Sequence, residues 1–448
     1  MSRSQARVRL ERARSVPAPE WVILGALIVL AGLIRFACRH YITSDLVVFG
    51  KWYDDLKAHG GVRGLRESIG NYNAPFLYLL VLAIYLPGAT LLKIKLIFVA
   101  FDVLLVFFVY RIVGLRYRGW RIPMVAALVT AFLPTVVLNG SMYGQCDAIW
   151  AAFAVGAVYF VLCDRQWWAV SCIATAYAFK PQGIFIFPLL LLLVLAGRVR
   201  WRTLIALPVV YVALDLPAIA LGRHPRELLG LYSRQLDEPS RLARGGPSVF
   251  QYLPVTVGTQ VLHNLGYLFA AVLVLGICYV LVATRTELDA NRILTAAACF
   301  AILVPFMLPA MHERYFYLAD VLTVVFAFYR PRLWYVPMIV QASSFLSYVP
   351  FLFLGAHGAF VDRKLLATLM LAALVITGYW LLHDVGGQVA GAEPDASEKP
   401  LRAQVPPQRE AHDPADVGRN PDGGAPAVDA PEAERQLFSE SRDPQLNR

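Results

Sequence analysis

The sequence is short of charge. Only 16% of its 448 residues are Asp, Glu, Lys or Arg, against about 25% in soluble domains. With 58% hydrophobic residues and a mean hydropathy of +0.55, this excludes an ordinary soluble fold. It also lacks cysteine pairing. The six cysteines (38, 146, 163, 172, 278 and 299) are scattered, mostly within apolar segments, with no CxxC or ligand spacing. They read as small buried apolar side chains and exclude a disulfide framework. No internal repeat and no soluble domain is legible. A cleavable leader is not expected either. The five arginines of the first fifteen residues precede a long apolar segment with no small-residue cleavage site, so 21–37 reads as a retained first span. The net charge of +10 divides into −6 from Asp384 onward and +16 before it. The basic excess belongs to the membrane part, where Lys and Arg orient helices, and it calls for no nucleic acid.

What is present is a succession of apolar runs. A spanning helix needs about 20 mostly apolar residues. The expectation is an all-α polytopic membrane protein. Its spans read as roughly 21–38, 94–113, 122–138, 148–163, 167–180, 183–196, 203–221, 265–284, 292–310, 315–329, 333–354 and 365–383. The segment 73–88, "NAPFLYLLVLAIYLPG", is ambiguous. If it does not cross, the basic loops 110–121, 197–202, 284–292 and 329–332 all join the arginine-rich N-terminus on one side, as the positive-inside rule requires. If it crosses, they face outward. It is therefore placed as a re-entrant or surface helix on the outer face. This gives twelve spans with both termini cytoplasmic. The division is a basic N-terminus (1–20), a membrane domain (21–383) and a disordered cytoplasmic tail (384–448) rich in Pro, Ala, Asp and Glu. Within 39–93, Leu46, Phe49, Tyr53 and Leu56 recur at helical spacing, the mark of an amphipathic interfacial helix. The polar stretch 222–264 reads as a mobile substrate loop.

That topology sends four polar clusters to the outer face: "TSDLVVF" (43–49), "YGQCDA" (143–148), "FKPQG" (179–183) and "MHERY" (311–315). Each has two readings. Asp45 suits an N-cap or a general base for a hydroxyl nucleophile. Lys180 at a span end snorkels to headgroups or holds a phosphate as a point charge. His312, Glu313 and Arg314 form an interfacial ion pair or an anion site, since guanidinium grips phosphate with two parallel bonds. Gln145 and Asp147 bind sugar hydroxyls or support Lys180 and Arg314, with Gln182 beside them. No DxD pair or other metal-ligand set is legible in these clusters, so neither metal nor cofactor is expected. Asp102 and Asp215, inside spans, are expected to pair with polar neighbours. The Asn139-Gly-Ser141 sequon is discounted because it abuts a span.

Taken in order, Asp45 with Phe49 and Trp52, "NYNAPFLYLL", "YGQCDA", "KPQ" and "HERYF" resemble the GT-C glycosyltransferases, integral membrane enzymes that use polyprenyl-phosphate sugars. The pattern is most like bacterial relatives of the second GPI mannosyltransferase. It is more distantly like the dolichyl-phosphoglucose-dependent glucosyltransferases. It covers about residues 20–383. The family commonly has an acidic residue, Tyr and two prolines where this chain reads Asn71, Tyr72, Asn73, Ala74 and Pro75. It has Trp-Gly-Gln where this chain has Tyr143-Gly144-Gln145. The resemblance implies transfer of a hexose, mannose as first choice, from a polyprenyl-phosphate donor to an acceptor hydroxyl on the extracytoplasmic face of the cell membrane, with inversion and without metal. It maps the catalytic base onto Asp45. Lys180, His312 and Arg314 become the donor-phosphate residues, and Gln145, Asp147, Gln182, Glu313 and Tyr72 sugar-binding or supporting ones. A lipid-linked sugar flippase is the alternative. Transporters place their sites near the midplane and show repeats, and neither is legible here.

Overall fold

The computed structural model describes residues 18–236, 241–253, 260–353 and 361–390. Nearly all of it is helix. The expected basic N-terminus falls almost wholly outside the described residues, as does the tail from residue 391.

Ten helices carry the first half of the chain: α1 (Ala18–Ala37), α2 (Ser44–Ala58), α3 (Ala74–Tyr85), α4 (Thr90–Arg116), α5 (Arg121–Phe132), α6 (Pro134–Leu138), α7 (Asp147–Leu162), α8 (Gln166–Phe179), α9 (Phe187–Leu195) and α10 (Ala206–Ala220). Two short helices follow, α11 (Pro225–Leu229) and α12 (Leu231–Leu236), then a two-residue strand β1 (Ala243–Arg244) and α13 (Gln260–Ala283). Helix α14 (Ala290–Met307), strand β2 (Met311–His312), α15 (Tyr317–Tyr329), α16 (Tyr335–Phe353) and α17 (Arg363–Ala390) complete it. β1 pairs in parallel with β2, Arg244 opposite His312.

Each of the twelve expected spans is helical. Among the described residues seven helices are long and apolar enough to cross a membrane, and eight if a bent pair is one span. That pair is α5 with the segment Pro134–Tyr143, bent by 53°. Pro134 opens the second half, where a missing N–H breaks the helical ladder. The remaining four segments, with α7, α8, α9 and α15 at their centres, are shorter. Helix α3, the ambiguous segment, has 12 residues. At 1.5 Å per residue it rises about 18 Å, well below a hydrocarbon core of about 30 Å. Helix α17 runs to Ala390, past the expected boundary at 384.

Helices α7, α14 and α15 are buried almost all round. Alanine recurs along α7 and the first half of α14, and small side chains let helices approach closely where lipid offers no hydrophobic drive. By contrast α1 and α13 expose Val22, Ile23, Leu268, Phe269 and Val272. Such apolar faces suit lipid rather than water.

The two ends of the bundle differ. The basic loops lie together: Arg116 donates to Asn291 at 2.8 Å, Tyr117 to the Phe328 carbonyl at 2.7 Å, and Arg121 pairs with Glu20. Trp21 stacks on Trp120, and Trp168, Trp201 and Trp334 are exposed at the same end, as in the aromatic belt of a membrane–water boundary. The four polar clusters occupy the other end.

Candidate functional site

Helix α2 brings Asp45. The expected period is found, with Leu46, Phe49, Tyr53 and Leu56 all buried against Phe76 of α3 and Phe98 of α4. The helix is therefore packed onto protein along one whole face. Its N-cap is Thr43, whose hydroxyl accepts from the Leu46 amide at 3.2 Å and donates to the Tyr143 carbonyl at 2.5 Å. Capping thus falls to Thr43 and leaves the Asp45 carboxylate to other partners. Lys95 of α4 steadies the preceding turn by donating to the carbonyls of Cys38 and Tyr41 at 3.0 and 2.6 Å.

A π-turn over Asn139–Tyr143 and the left-handed Gly144 (φ +73°) bring Gln145 under α2. A Cβ on Gly144 would lie 2.9 Å from the Leu46 side chain, so this turn requires glycine on both counts. Gln145 donates through Nε2 to Asp45 Oδ2. The sequon asparagine, Asn139, is fully buried and donates to Asp147 at 2.9 Å and towards Tyr348.

Lys180 ends α8 in an extended conformation, with Pro181 opening the next turn. It does not snorkel. It is 2% exposed, and its Nζ lies 2.6 Å from Asp147 Oδ1 and 3.3 Å from Gln145 Oε1. Its ammonium also lies 5.6 Å from the centre of the Tyr72 ring. A Cβ on Gly183 would meet the Tyr177 amide nitrogen at 2.4 Å. Only glycine lets this turn fold back on α8.

Arg314 is the hub. Its Nη2 lies 3.2 Å from Asp45 Oδ2, its Nη1 2.9 Å from the Tyr143 hydroxyl and 3.2 Å from Glu313, and its Nε 3.8 Å from Asp147. Tyr143 in turn donates to Glu313 at 2.6 Å. Burial works to raise the Glu313 carboxyl, but His312, Arg314 and Tyr143 outweigh it and hold it at about 2. Burial likewise opposes the Arg314 charge, and the acidic groups around it more than compensate, so it stays charged.

Above this network opens a cavity of about 400 Å³ whose lining includes Asp45, Trp52, Tyr72, Gln145, Gln182, Arg244, His312, Arg314 and Tyr315. Six of the nine expected site residues thus line the cavity: Asp45, Tyr72, Gln145, Gln182, His312 and Arg314. Lys180 and Asp147 lie behind Gln145 and do not line it, and Glu313 faces a second cavity. Asp45 Oδ2 is taken by Gln145 and Arg314. Among the described residues Oδ1 has only Ser44 Oγ, at 3.4 Å, and the side chain is 27% exposed. The arrangement combines an accessible carboxylate oxygen with cations aimed at the same space, which suits removal of a proton beside a developing anion.

Several members were hidden from sequence reasoning. Arg244, Tyr232 and Gln235 come from the expected mobile loop. That stretch is largely built into α11, α12 and β1, with 237–240 and 254–259 outside the described residues. Leu228 is buried against Ala74 and Ala218, and Tyr232 donates to the Ala178 carbonyl at 3.2 Å. Of the two buried acids, Asp102 pairs with Arg35 at 3.1 Å as expected. Asp215 lies buried with Asn73 and Arg223 as its polar neighbours.

No protein-family model and no curated protein sequence matches this chain. Among solved structures it is similar to ArnT from Cupriavidus metallidurans in the apo state, with a TM-score of 0.50 and 16% identity over 83% of this chain and 78% of that one. ArnT from the same organism bound to undecaprenyl phosphate gives a TM-score of 0.49 and 15% identity over 84% and 79%. The likeness is one of fold: an all-α polytopic membrane architecture shared with ArnT.

Proposed function

We propose that this protein is a membrane glycosyltransferase that moves a hexose from a polyprenyl-phosphate donor to an acceptor hydroxyl. The observation that carries the reading is Asp45, held at the cavity mouth by Gln145 and Arg314 with Oδ1 left to take a proton. Mannose is the sugar by resemblance to the bacterial relatives of the second GPI mannosyltransferase. The site faces the extracytoplasmic side, since the opposite end carries the basic loops.

In this reading the acceptor oxygen attacks the anomeric carbon opposite the phosphate while its proton passes to Asp45. The carbon–oxygen bond to the phosphate breaks, and the sugar is inverted. The leaving polyprenyl phosphate meets Arg314, His312 and Arg244, with Lys180 adding its charge from behind Gln145. Fixed cations aimed at a developing anion lower the barrier without reorganising. The Asp45–Arg314 pair links the two halves of the reaction. A phosphate docked on Arg314 competes with Asp45 for the same guanidinium.

The test uses proteoliposomes holding the full chain, an acceptor-containing membrane extract and radiolabelled polyprenyl-phosphate mannose. Label should appear in a product that is not the donor. Movement of intact labelled lipid between leaflets, with no new product, would overturn the transferase in favour of a flippase.

A further inference from the structure

Beside the first cavity lies a second, of about 580 Å³, whose lining includes Arg241, Arg244, Arg363 and His312. The two share Arg244 and His312. We propose that this second cavity is an anion site that takes a phosphate ester, with Arg241 and Arg363 as its own cations and Arg244 and His312 shared with the first cavity. The argument uses its lining and not the transferase reading.

The charge balance carries the argument. In the first site each buried cation is matched, Lys180 by Asp147 and Arg314 by Asp45 and Glu313. Around the second cavity the cations are not matched. Among the described residues none of Arg241, Arg244 and Arg363 has a carboxylate within ion-pair distance, and Arg244 has only the His312 ring, at 3.4 Å. The one carboxylate lining the cavity, Glu313, is 4% exposed and already engaged by Tyr143 and Arg314. Arg241, Arg244 and Arg363 line one space with solvent as their only screen among the described residues, and an anion between them would relieve their mutual repulsion. Their forks match phosphate oxygens. They also offer more donors than the two oxygens of a carboxylate can accept. The side chains make the site, not the end of α17: Asp362 already caps that terminus, accepting from the Lys364 amide at 2.9 Å.

A phosphate ester could reach this cavity on a bilayer phospholipid or on a water-soluble molecule, and binding measurements separate the two. Full-length protein purified in neutral detergent would be offered phosphatidylglycerol or phosphatidylcholine and counted for retained lipid by native mass spectrometry. In parallel it would be titrated with glycerol phosphate. Retention of phosphatidylglycerol over phosphatidylcholine identifies a headgroup, and saturable glycerol phosphate binding without lipid retention identifies a soluble ester. Either supports the site if the Arg241→Gln/Arg363→Gln variant weakens it by about tenfold or more, as expected for lost charged hydrogen bonds. The exposed arginines of the opposite end serve as control, and Arg202→Gln/Arg332→Gln should leave binding unchanged. Arg241 and Arg363 are exposed, so the variant should keep its unfolding temperature. Arg363→Gln alone, with a smaller loss in the same direction, is the fallback if it does not. Equal binding by wild type and variant, or no binding of either probe by wild type, overturns the proposal. Asp45→Asn should bind the probe normally, so the site and the transferase reading fail separately.

Discussion

Asp45 and Thr43 lie two residues apart at the start of α2 and do different work. Thr43 closes the helix, and Asp45 points its carboxylate at Gln145 and Arg314. Asp45→Asn keeps shape and polarity but removes the base. It should lower transfer by about 10²–10⁴-fold at an unchanged unfolding temperature. Thr43→Ala should instead lower stability by about 1 kcal/mol, as for a lost cap. Near-normal transfer by Asp45→Asn at equal expression would remove the proposed base. Glu313 allows a pH test. Its carboxyl is held at about 2 against an ordinary 4.5. Its stabilising effect is therefore complete above the unfolded value and lost only as pH falls through the folded one. Glu313→Gln should lower stability by ~3–5 kcal/mol, as when one partner of a buried pair is removed. That difference should be the same at about pH 7.5 and about pH 9 in thermal unfolding, a window above ordinary imidazole titration. A difference that changes within this window would show that Glu313 titrates there.

The elements explain what was legible before the structure and what was not. The alternating three- and four-residue spacing of Leu46, Phe49, Tyr53 and Leu56 announced α2, and the apolar runs announced every long helix. Asp45, Lys180 and Arg314 stood out because charge is rare in such a chain. The Thr43 cap was not separable from Asp45 by type, since both residues favour that position. Arg244 was hidden because its place comes from pairing with Met311–His312, a contact across 68 residues. The division between Lys180 behind the wall and His312 at the rim is likewise a matter of tertiary packing. The turn after α8 offers its own test. Gly183→Ala places a methyl group against the backbone of α8 and should destabilise by about 1–3 kcal/mol. It should also lower transfer, because it displaces Lys180 from Asp147. Wild-type unfolding and transfer would mean that the turn has room the packing does not show.

At the scale of the whole molecule, the opposed ends make a topology that labelling can read. A single cysteine at Arg63, exposed beside the site end, should react with an impermeant reagent in intact cells. One at Arg118, among the basic loops, should react only after lysis. The reverse result would turn the molecule over and move the site to the cytoplasm. The helices that tie the site to the basic end are short. Helix α8 has 14 residues and α15 has 13, rises of about 21 and 20 Å against a hydrocarbon core of about 30 Å. With the basic end at one surface of the bilayer, a site carried on these helices lies several ångströms short of the other surface, and the polyprenyl donor of the proposed function would reach it without leaving its leaflet. The search for donor is then two-dimensional, and the quantity that sets the rate is molecules per unit of membrane area. Diluting proteoliposomes about tenfold with buffer should leave turnover per enzyme unchanged, whereas diluting the donor about tenfold with phosphatidylcholine in the same bilayer should cut it almost in proportion below saturation, as for any ligand held in the membrane by its own chain. Turnover that follows bulk volume instead would mean that the donor arrives from water.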